Sequence, residues 1–231
     1  MPWTGLQLCV SLRYHVTMPR QDFTHVTGWV FDLDNTLYSP QARLFDQIEQ
    51  RMTAFVMRTL GVTHARANHL RHSYWHQYGT TLAGLMHEHA LDPSEYLVEV
   101  HDIDLGALAP DAELAARIRA LPGRKIVYTN GSAPYAERVV AARGLSGVFD
   151  ALYGVEHANF HPKPDPRAFD AVFARDRLRP DVAAMFEDDA RNLAAPHRMG
   201  MRTVHVAAQP LGAPHIHHHT DDLGAFLARL V

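Results

Sequence analysis

Phe31-Asp32-Leu33-Asp34-Asn35-Thr36-Leu37-Tyr38 sets two carboxylates two residues apart where an apolar run meets a polar loop. Residues 26 to 33, VTGWVFDL, are short, mostly apolar and rich in β-branched and aromatic side chains, which predicts a strand buried on both faces. In open α/β sheets ligands bind beyond the carboxyl ends of the strands, and Asp32 and Asp34 fall there. The period of two along an extended chain points both side chains the same way. A carboxylate that attacks, beside a carboxyl that carries a proton, is one route to covalent phosphoryl or acyl chemistry. An acidic turn at the surface would use the same residue types, because Asp, Asn and Thr are good turn formers.

Three further stretches bear on that choice. Lys125 to Thr129 (KIVYT) predicts a second strand, ending in Thr129-Asn130-Gly131-Ser132, with Pro134 and an apolar-periodic segment behind it. A hydroxyl and loop amides at a helix N-terminus make an anion site. Pro162-Lys163-Pro164 holds one lysine between two prolines, which fix the local backbone angles and present the ammonium from a stiff loop. Ala183 to Phe186 predicts a short apolar strand that runs into Glu187-Asp188-Asp189, with Ala190-Arg191-Asn192-Leu193 opening a helix. Three acidic residues at a strand end are costly without a cation, and carboxylate oxygens suit Mg²⁺. Each stretch alone has an ordinary alternative: Lys163 as a surface lysine, the acidic triplet as a helix start that favours the dipole.

Taken in order, FDLDNTLY, TNG, PKP and EDD resemble the four motifs of the haloacid dehalogenase (HAD) superfamily of phosphotransferases, over about residues 28 to 206. The longer strings FDLDNTLY, YGTTLAGLM (Tyr78 to Met86), HDIDL (His101 to Leu105) and FEDDARNL look most like its pyrimidine 5′-nucleotidase-type branch. The resemblance implies that Asp32 is the nucleophile and forms an aspartyl-phosphate. It implies that Asp34 protonates the leaving oxygen and then activates water. Thr129 and the amides of Asn130 and Gly131 would hold the phosphoryl oxygens, and Lys163 would bridge the phosphate and Asp32. Mg²⁺ would be bound by Asp32, the backbone carbonyl of Asp34, and Asp188, with Glu187 or Asp189 acting through water. Dehalogenases of the superfamily attack carbon and characteristically lack the second Asp, so Asp34 favours phosphate chemistry. The implied activity is a Mg²⁺-dependent phosphomonoester hydrolase for a small phosphorylated metabolite, a nucleoside 5′-monophosphate before a sugar phosphate or phosphoglycolate. A non-catalytic regulator that binds a phospho-ligand on the same fold is the alternative from another class.

The charges require such a set. A phosphate charge approaching a carboxylate is repelled by about 4 kcal/mol per unit pair at 4 Å and an effective dielectric of 20. Mg²⁺ and a lysine reverse that sign and stabilise charge on the transferring group.

Composition adds limits. The 231 residues are 47% hydrophobic and 20% charged, enough for a sizeable core as one domain or one domain plus an insertion. There is no run of 18 apolar residues, so no membrane span is expected. A net charge of −3 and scattered arginines leave no nucleic-acid footprint. One cysteine, Cys9, excludes an internal disulfide and fits a reducing, cytoplasmic setting. Residues 1 to 24 read as an N-terminal extension. GLQLCVSL is short for a signal sequence and no positive charge precedes it, and Met18 is a second plausible start.

Spacing sets the organisation. The first strand ends near Leu33 and the next begins near Lys125, farther than a βα crossover needs, so an insertion lies between them. Leu44, Ile48, Met52, Phe55, Val56 and Leu60 have helical spacing and stop at Gly61. With helices expected over 64–78, 82–90 and 93–100, residues 41–105 read as a small all-helical cap. Residues 25–40 and 106–231 then form a doubly wound α/β core with a largely parallel sheet, of Rossmann type. In that core, helices are expected over 111–121, 135–143, 165–178, 190–199 and 221–230, and strands over 150–153 and 203–206.

In the cap, the string from His72 to Thr81 carries aromatic and hydrogen-bonding groups suited to a nucleobase. Trp75 is expected in the cap core, and Tyr78, Thr80 and Thr81 at the substrate, with Gly79 and Gly84 letting the backbone turn there. His215, His217, His218 and His219 are expected in a solvent-facing loop before an N-cap at Thr220 or Asp221, because adjacent loop residues seldom converge on a metal. His157 and His161 lie close to Lys163 in sequence, either lining the site or on the loop surface.

Overall fold

The computed structural model describes residues 19–231; Cys9 and the extension up to Met18 lie outside the described residues. Six strands form one sheet: β1 (Gly28–Phe31), β2 (Arg124–Tyr128), β3 (Ala151–Tyr153), β4 (Ala183–Glu187), β5 (Arg202–Val206) and β6 (His218–Thr220). Their order is β3-β2-β1-β4-β5-β6, and every neighbouring pair is parallel. The helices are α1 (Pro19–Asp22), α2 (Leu44–Leu60), α3 (His64–Tyr78), α4 (Thr81–His89), α5 (Pro93–Val100), α6 (Ala112–Ala120), α7 (Ala133–Ala142), α8 (Pro166–Asp176), α9 (Ala194–Arg198) and α10 (Leu223–Leu227).

Alternation along the strands divides the core. Trp29, Phe31, Val127, Ala184 and Phe186 pack on one face against Leu114 and Ile118 of α6, Val139 of α7 and Phe226 of α10. Val30, Ile126, Tyr128 and Met185 face the other way, onto Phe169, Val172 and Phe173 of α8. The sheet is therefore covered by helices on both sides, as an all-parallel sheet requires. The chain leaves central β1 towards β2 on one side and β4 on the other, so the carboxyl end of β1 is a topological switch point.

Helices α2 to α5 share an apolar cluster, including Phe55, Val56, Tyr74, Leu85, Tyr96 and Val100, which Val155 joins from the loop after β3. Side-chain caps start three of them: Thr63 accepts from the Arg66 amide, Thr80 from Ala83 and Asp92 from Ser94. Gly61, at φ 64°, ends α2 in the left-handed conformation. Gly84 is no turn residue: it lies inside α4, where a Cβ would sit 2.2 Å from the Tyr74 ring. It is the notch through which α3 and α4 approach. Among the described residues no helix is long and apolar enough to cross a membrane.

Of the stretch read as an N-terminal extension, Pro19–Asp22 form α1, which leads into Phe23, 5% exposed and stacked on Trp29 with ring centroids 6.0 Å apart. Two local expectations are corrected. The stretch 190–199 is not one helix but a 3₁₀ turn over Ala190–Leu193 followed by α9. Pro196 has no N–H to return to the carbonyl of residue 192, so a continuous helix would lose that bond, whereas a proline in the first turn of α9 loses nothing. The histidine run is only partly a solvent loop: His215 and an exposed His217 precede edge strand β6, which takes in His218 and His219, with Val204 paired to His218 and Val206 to Thr220. His215 Nε2 meets the Ala190 carbonyl (2.9 Å), His217 Nδ1 the Thr203 hydroxyl (2.8 Å) and His219 Nε2 the Ala207 carbonyl (2.7 Å). The cap of α10 is Asp222, which accepts from the Ala225 amide.

Candidate active site

The parallel register aligns the strand ends that carry the polar groups. Phe31 pairs with Phe186, and the Asp32 amide donates to the Phe186 carbonyl at 2.9 Å, so the chain runs from β1 into Asp32 beside Glu187 of β4. Lys163 closes the arrangement. Its Nζ donates to Asp32 Oδ1 (2.6 Å), Glu187 Oε2 (2.6 Å) and the Tyr128 carbonyl (3.1 Å), tying together the ends of β1, β4 and β2. Asn130 holds the lysine in place: its side-chain oxygen accepts from the Lys163 amide (2.8 Å) and its Nδ2 donates to the Lys163 carbonyl (3.1 Å). The TNG and PKP loops are thus clipped to each other. Thr129 Oγ1 accepts from the Gly131 amide at 2.9 Å, shaping the same loop ahead of α7.

Lys163 is 2% exposed. Burial opposes its charge, but the charges of Asp32 and Glu187 outweigh burial and raise its pKa. The carboxylates are pushed the other way. Burial raises Asp32, with Lys163 opposing and the charge of Asp34 adding. Glu187 lies well above the usual range, through burial and the neighbouring Asp32. Asp188 is raised to about 6 by burial and then by Asp32. One lysine is too little positive charge for two buried carboxylates and a half-buried third. One oxygen each of Asp32, Glu187 and Asp188 lies within 4.8 Å of the others, a set of hard donors that fits a divalent cation. Asn35 Nδ2 reaches Asp188 Oδ2 (3.3 Å), and His205 Nε2 its backbone carbonyl (2.9 Å).

Asp189 does not join that group. Its oxygens cap the 3₁₀ turn and grip Arg191, with Nε at 3.0 and 3.1 Å and Nη2 at 2.5 Å. Glu187 spends Oε1 on the Asn192 amide group (3.0 Å) and the Asp189 amide (3.3 Å). Of the two neighbours of Asp188 treated alike in the sequence, only Glu187 reaches the cluster.

Asp34 is half-buried beside the cavity, and one oxygen, Oδ1, accepts from Tyr38 Oη (2.6 Å) and Tyr135 Oη (2.7 Å). Burial raises its pKa against the pull of these two hydroxyls. His101, from the HDIDL string, stacks on Tyr135 with ring centroids 4.5 Å apart, and burial holds it down at about 4. It is therefore neutral at neutral pH. Asn35 and Tyr38 stand within the quoted motif and His101 opens the HDIDL string, whereas nothing in the sequence marks Tyr135 as a neighbour of the carboxylates.

A cavity of about 500 Å³ opens on these groups and extends between helices α2 to α5. Asp32, Asp34, Thr129, Asn130, Gly131 and Lys163 line one end, as do Glu187, Asp188 and Asp189. Thr80 and Thr81 line the helical side, but Tyr78 does not. Its hydroxyl hydrogen-bonds Glu88, which pushes it up to about 12, and its ring packs against Tyr74 and His87. Trp75, expected in the cap core, lines the cavity instead. Three residues apart, the two rings leave α3 on the same side, and their partners separate them: Glu88 and His87 of α4 hold Tyr78, while Arg191 holds Trp75. Gly79, at φ 88°, ends α3 against the PKP loop, where a Cβ would meet Pro162 at 3.2 Å. His157 and His161 are absent from the lining: His157 Nδ1 accepts from the Gly154 amide and His161 lies 3.9 Å from Asp165.

Residues 26–200 match the family model of the haloacid dehalogenase-like hydrolases. The chain belongs to that family. A Saccharomyces cerevisiae protein named Phosphate metabolism protein 8 is 27% identical over 187 residues, 74% of this chain. The match spans only 58% of the yeast protein's length. Among solved structures, Bacillus subtilis YfnB, bound to magnesium, superposes with a TM-score of 0.57 at 15% identity, over 89% of this chain and 98% of that one. A HAD phosphatase from Thermococcus onnurineus gives 0.55 at 17%, over 84% and 93%. A 2-haloacid dehalogenase from Pseudomonas syringae gives 0.56 at 18%, over 89% and 100%. At these identities the likeness is one of fold, shared by HAD phosphatases and dehalogenases alike.

Proposed function

We propose that this HAD-like chain is a Mg²⁺-dependent phosphomonoester hydrolase that works through an aspartyl-phosphate on Asp32. The observation that carries the reading is Asp34. A carboxyl with a raised pKa, oriented by Tyr38 and Tyr135, stands two residues from the nucleophile, where a leaving oxygen needs a proton. Cleavage of a carbon–halogen bond has no use for it.

An Asp32 oxygen attacks phosphorus while the bond to the leaving oxygen breaks, and Asp34 gives that oxygen its proton. Asp34 then takes a proton from water, whose oxygen attacks phosphorus. The bond to Asp32 breaks, and orthophosphate leaves. Lys163 fixes the attacking carboxylate and offsets its charge, while Thr129 and the loop amides of Asn130 and Gly131 would hold the phosphoryl oxygens, the Gly131 amide exchanging its bond to Thr129 Oγ1 for one to the phosphate. Mg²⁺, held by Asp32 and Asp188 with Glu187 behind them, would neutralise the charge gathered on the transferring group.

In this reading residues 41–105 are the cap over a core of residues 25–40 and 106–231, which the apolar cluster centred on α2 to α5 supports. The substrate class proposed is a nucleoside 5′-monophosphate, a pyrimidine one first, supported by the motif strings and by a cavity that continues under the cap. The single cysteine supports a cytoplasmic setting.

Hydrolysis of p-nitrophenyl phosphate with Mg²⁺ and none with EDTA is expected, and UMP or CMP should exceed glycerol phosphate and phosphoglycolate in kcat/KM. Readily cleaved sugar phosphates with untouched nucleotides would replace the substrate class. Because Asp188 titrates near 6, protons compete with the metal below that pH. The apparent Mg²⁺ affinity, measured calorimetrically without substrate, should therefore weaken as pH falls from 7 to 5. A flat profile would remove Asp188 from the metal.

Asp34→Asn should slow turnover by about 10² to 10⁴-fold, the usual worth of a positioned acid. Tyr135→Phe deletes a hydrogen bond that lowers the Asp34 pKa, so that pKa rises and Asp34 stays protonated to higher pH. The basic limb of the kcat/KM profile should move up in pH; an unmoved limb would place the acid elsewhere.

A further inference from the structure

Five large apolar side chains are exposed among the described residues, and two of them, Phe45 (43%) and Trp75 (40%), line the same cavity. They come from different cap helices, Phe45 from the start of α2 and Trp75 from the last turn of α3. Exposed aromatic surface inside a cavity has a different meaning from a lone exposed leucine, because it costs stability unless something covers it.

Trp75 is also held in place. The Arg191 guanidinium carbon sits 3.8 Å over its ring. Arg191 is in turn gripped by Asp189, so the stack runs from the core loop after β4 across to the cap. Arg191 itself lines the cavity, and Ile48, Met52 and Leu97 supply apolar wall nearby. An indole and a guanidinium fixed against each other form a rigid planar surface, and aromatic and guanidinium planes are the groups on which heteroaromatic bases stack. A phosphate ester without such a ring would leave both aromatic side chains in water.

We propose that the Trp75–Arg191 stack, with Phe45, is the subsite for a planar heteroaromatic ring carried by the leaving group. The proposal rests on the phosphatase reading for the ester itself. It moves ring selection from Tyr78, where the motif strings point, to side chains on α2, α3 and the loop after β4.

The test compares UMP with ribose 5-phosphate, which presents the same phosphate and sugar without the base. The wild-type protein should prefer UMP in kcat/KM. Trp75→Leu should reduce that preference by about tenfold or more, the usual worth of one base on one aromatic ring. Trp75→Phe should recover most of it. Arg191→Lys, which keeps the charge and loses the plane, should also lower it. An unchanged ratio in Trp75→Leu, or a wild-type ratio near one with both esters cleaved, overturns the subsite and leaves the phosphatase reading standing. If neither ester is cleaved, that reading falls, and calorimetric binding of uridine decides the subsite. Binding to the wild type that is lost in Trp75→Leu and restored in Trp75→Phe supports it; no binding to the wild type, or binding unchanged in Trp75→Leu, overturns it.

Discussion

Asp32→Asn should abolish turnover of every phosphate ester, with kcat falling on the order of 10⁴-fold or more, because a carboxamide cannot form the aspartyl-phosphate. The fold should survive. The amide is nearly isosteric, the backbone bond from residue 32 to Phe186 is untouched, and Lys163 keeps Glu187 as a partner. The raised pKa of Asp32 means that burial already disfavours a charge there, so neutralising it costs the metal-free protein little. Melting curves and steady-state rates measured together check both halves. A natively melting variant with substantial activity would give the nucleophile's role to another residue.

Lys163→Met should be the most destabilising single change at the site. The ammonium is buried, and both of its carboxylate partners lie at 2.6 Å with side chains no more than 7% exposed. Removing one member of a buried ionic group costs about 3–5 kcal/mol. For a chain of this size that is a fall in Tm of about 10 °C. The deficit has a predictable pH dependence. Lys163 lowers the pKa of Asp32 and Glu187, so its loss raises both further in the folded state. The folded variant then holds more protons than its unfolded chain above the ordinary carboxylate range, and its stability falls as pH rises. Lys163→Met should therefore melt closest to wild type near pH 5 and farthest from it at pH 8. Adding Glu187→Gln should restore part of the loss, since one of the two stranded charges is removed. Equal melting of wild type and Lys163→Met at pH 8 would contradict the ion-pair account.

The parts legible in the sequence were those that local chemistry dictates. Gly61 stops α2 because only a residue at ease with positive φ closes that turn, and Pro93–Val100 is bounded by its own proline and by the Asp92 cap. The strand ends at Asp32, Tyr128 and Glu187 follow from short apolar runs that meet polar loops. The histidine run was illegible for the opposite reason. Imidazoles at 215 and 219 read as solvent-facing until the turn after β4 and the chain after β5 supply the carbonyls that they meet, while His217 stays exposed and still meets the Thr203 hydroxyl. The place of Asp189 was not legible either. It stands beside Asp188 in the chain, but a side chain that closes on Arg191 two residues later is turned out of the carboxylate group.

The sequence by itself determined the α/β architecture and the short stretches from which Asp32, Lys163, Glu187 and Asp188 come together. Hydrophobic periodicity and turn residues act over a few positions, and four short motifs carry their chemistry within each strand end. The tertiary structure alone decided which side chains those motifs meet. Tyr135 comes to Asp34 across 101 residues and Lys163 to Asp32 across 131, and Trp75 rather than Tyr78 faces the cavity. Such pairings depend on strand order, on register and on the rotation of a helix about its axis. Each is settled by burying apolar surface over the whole molecule, and no local pattern records it.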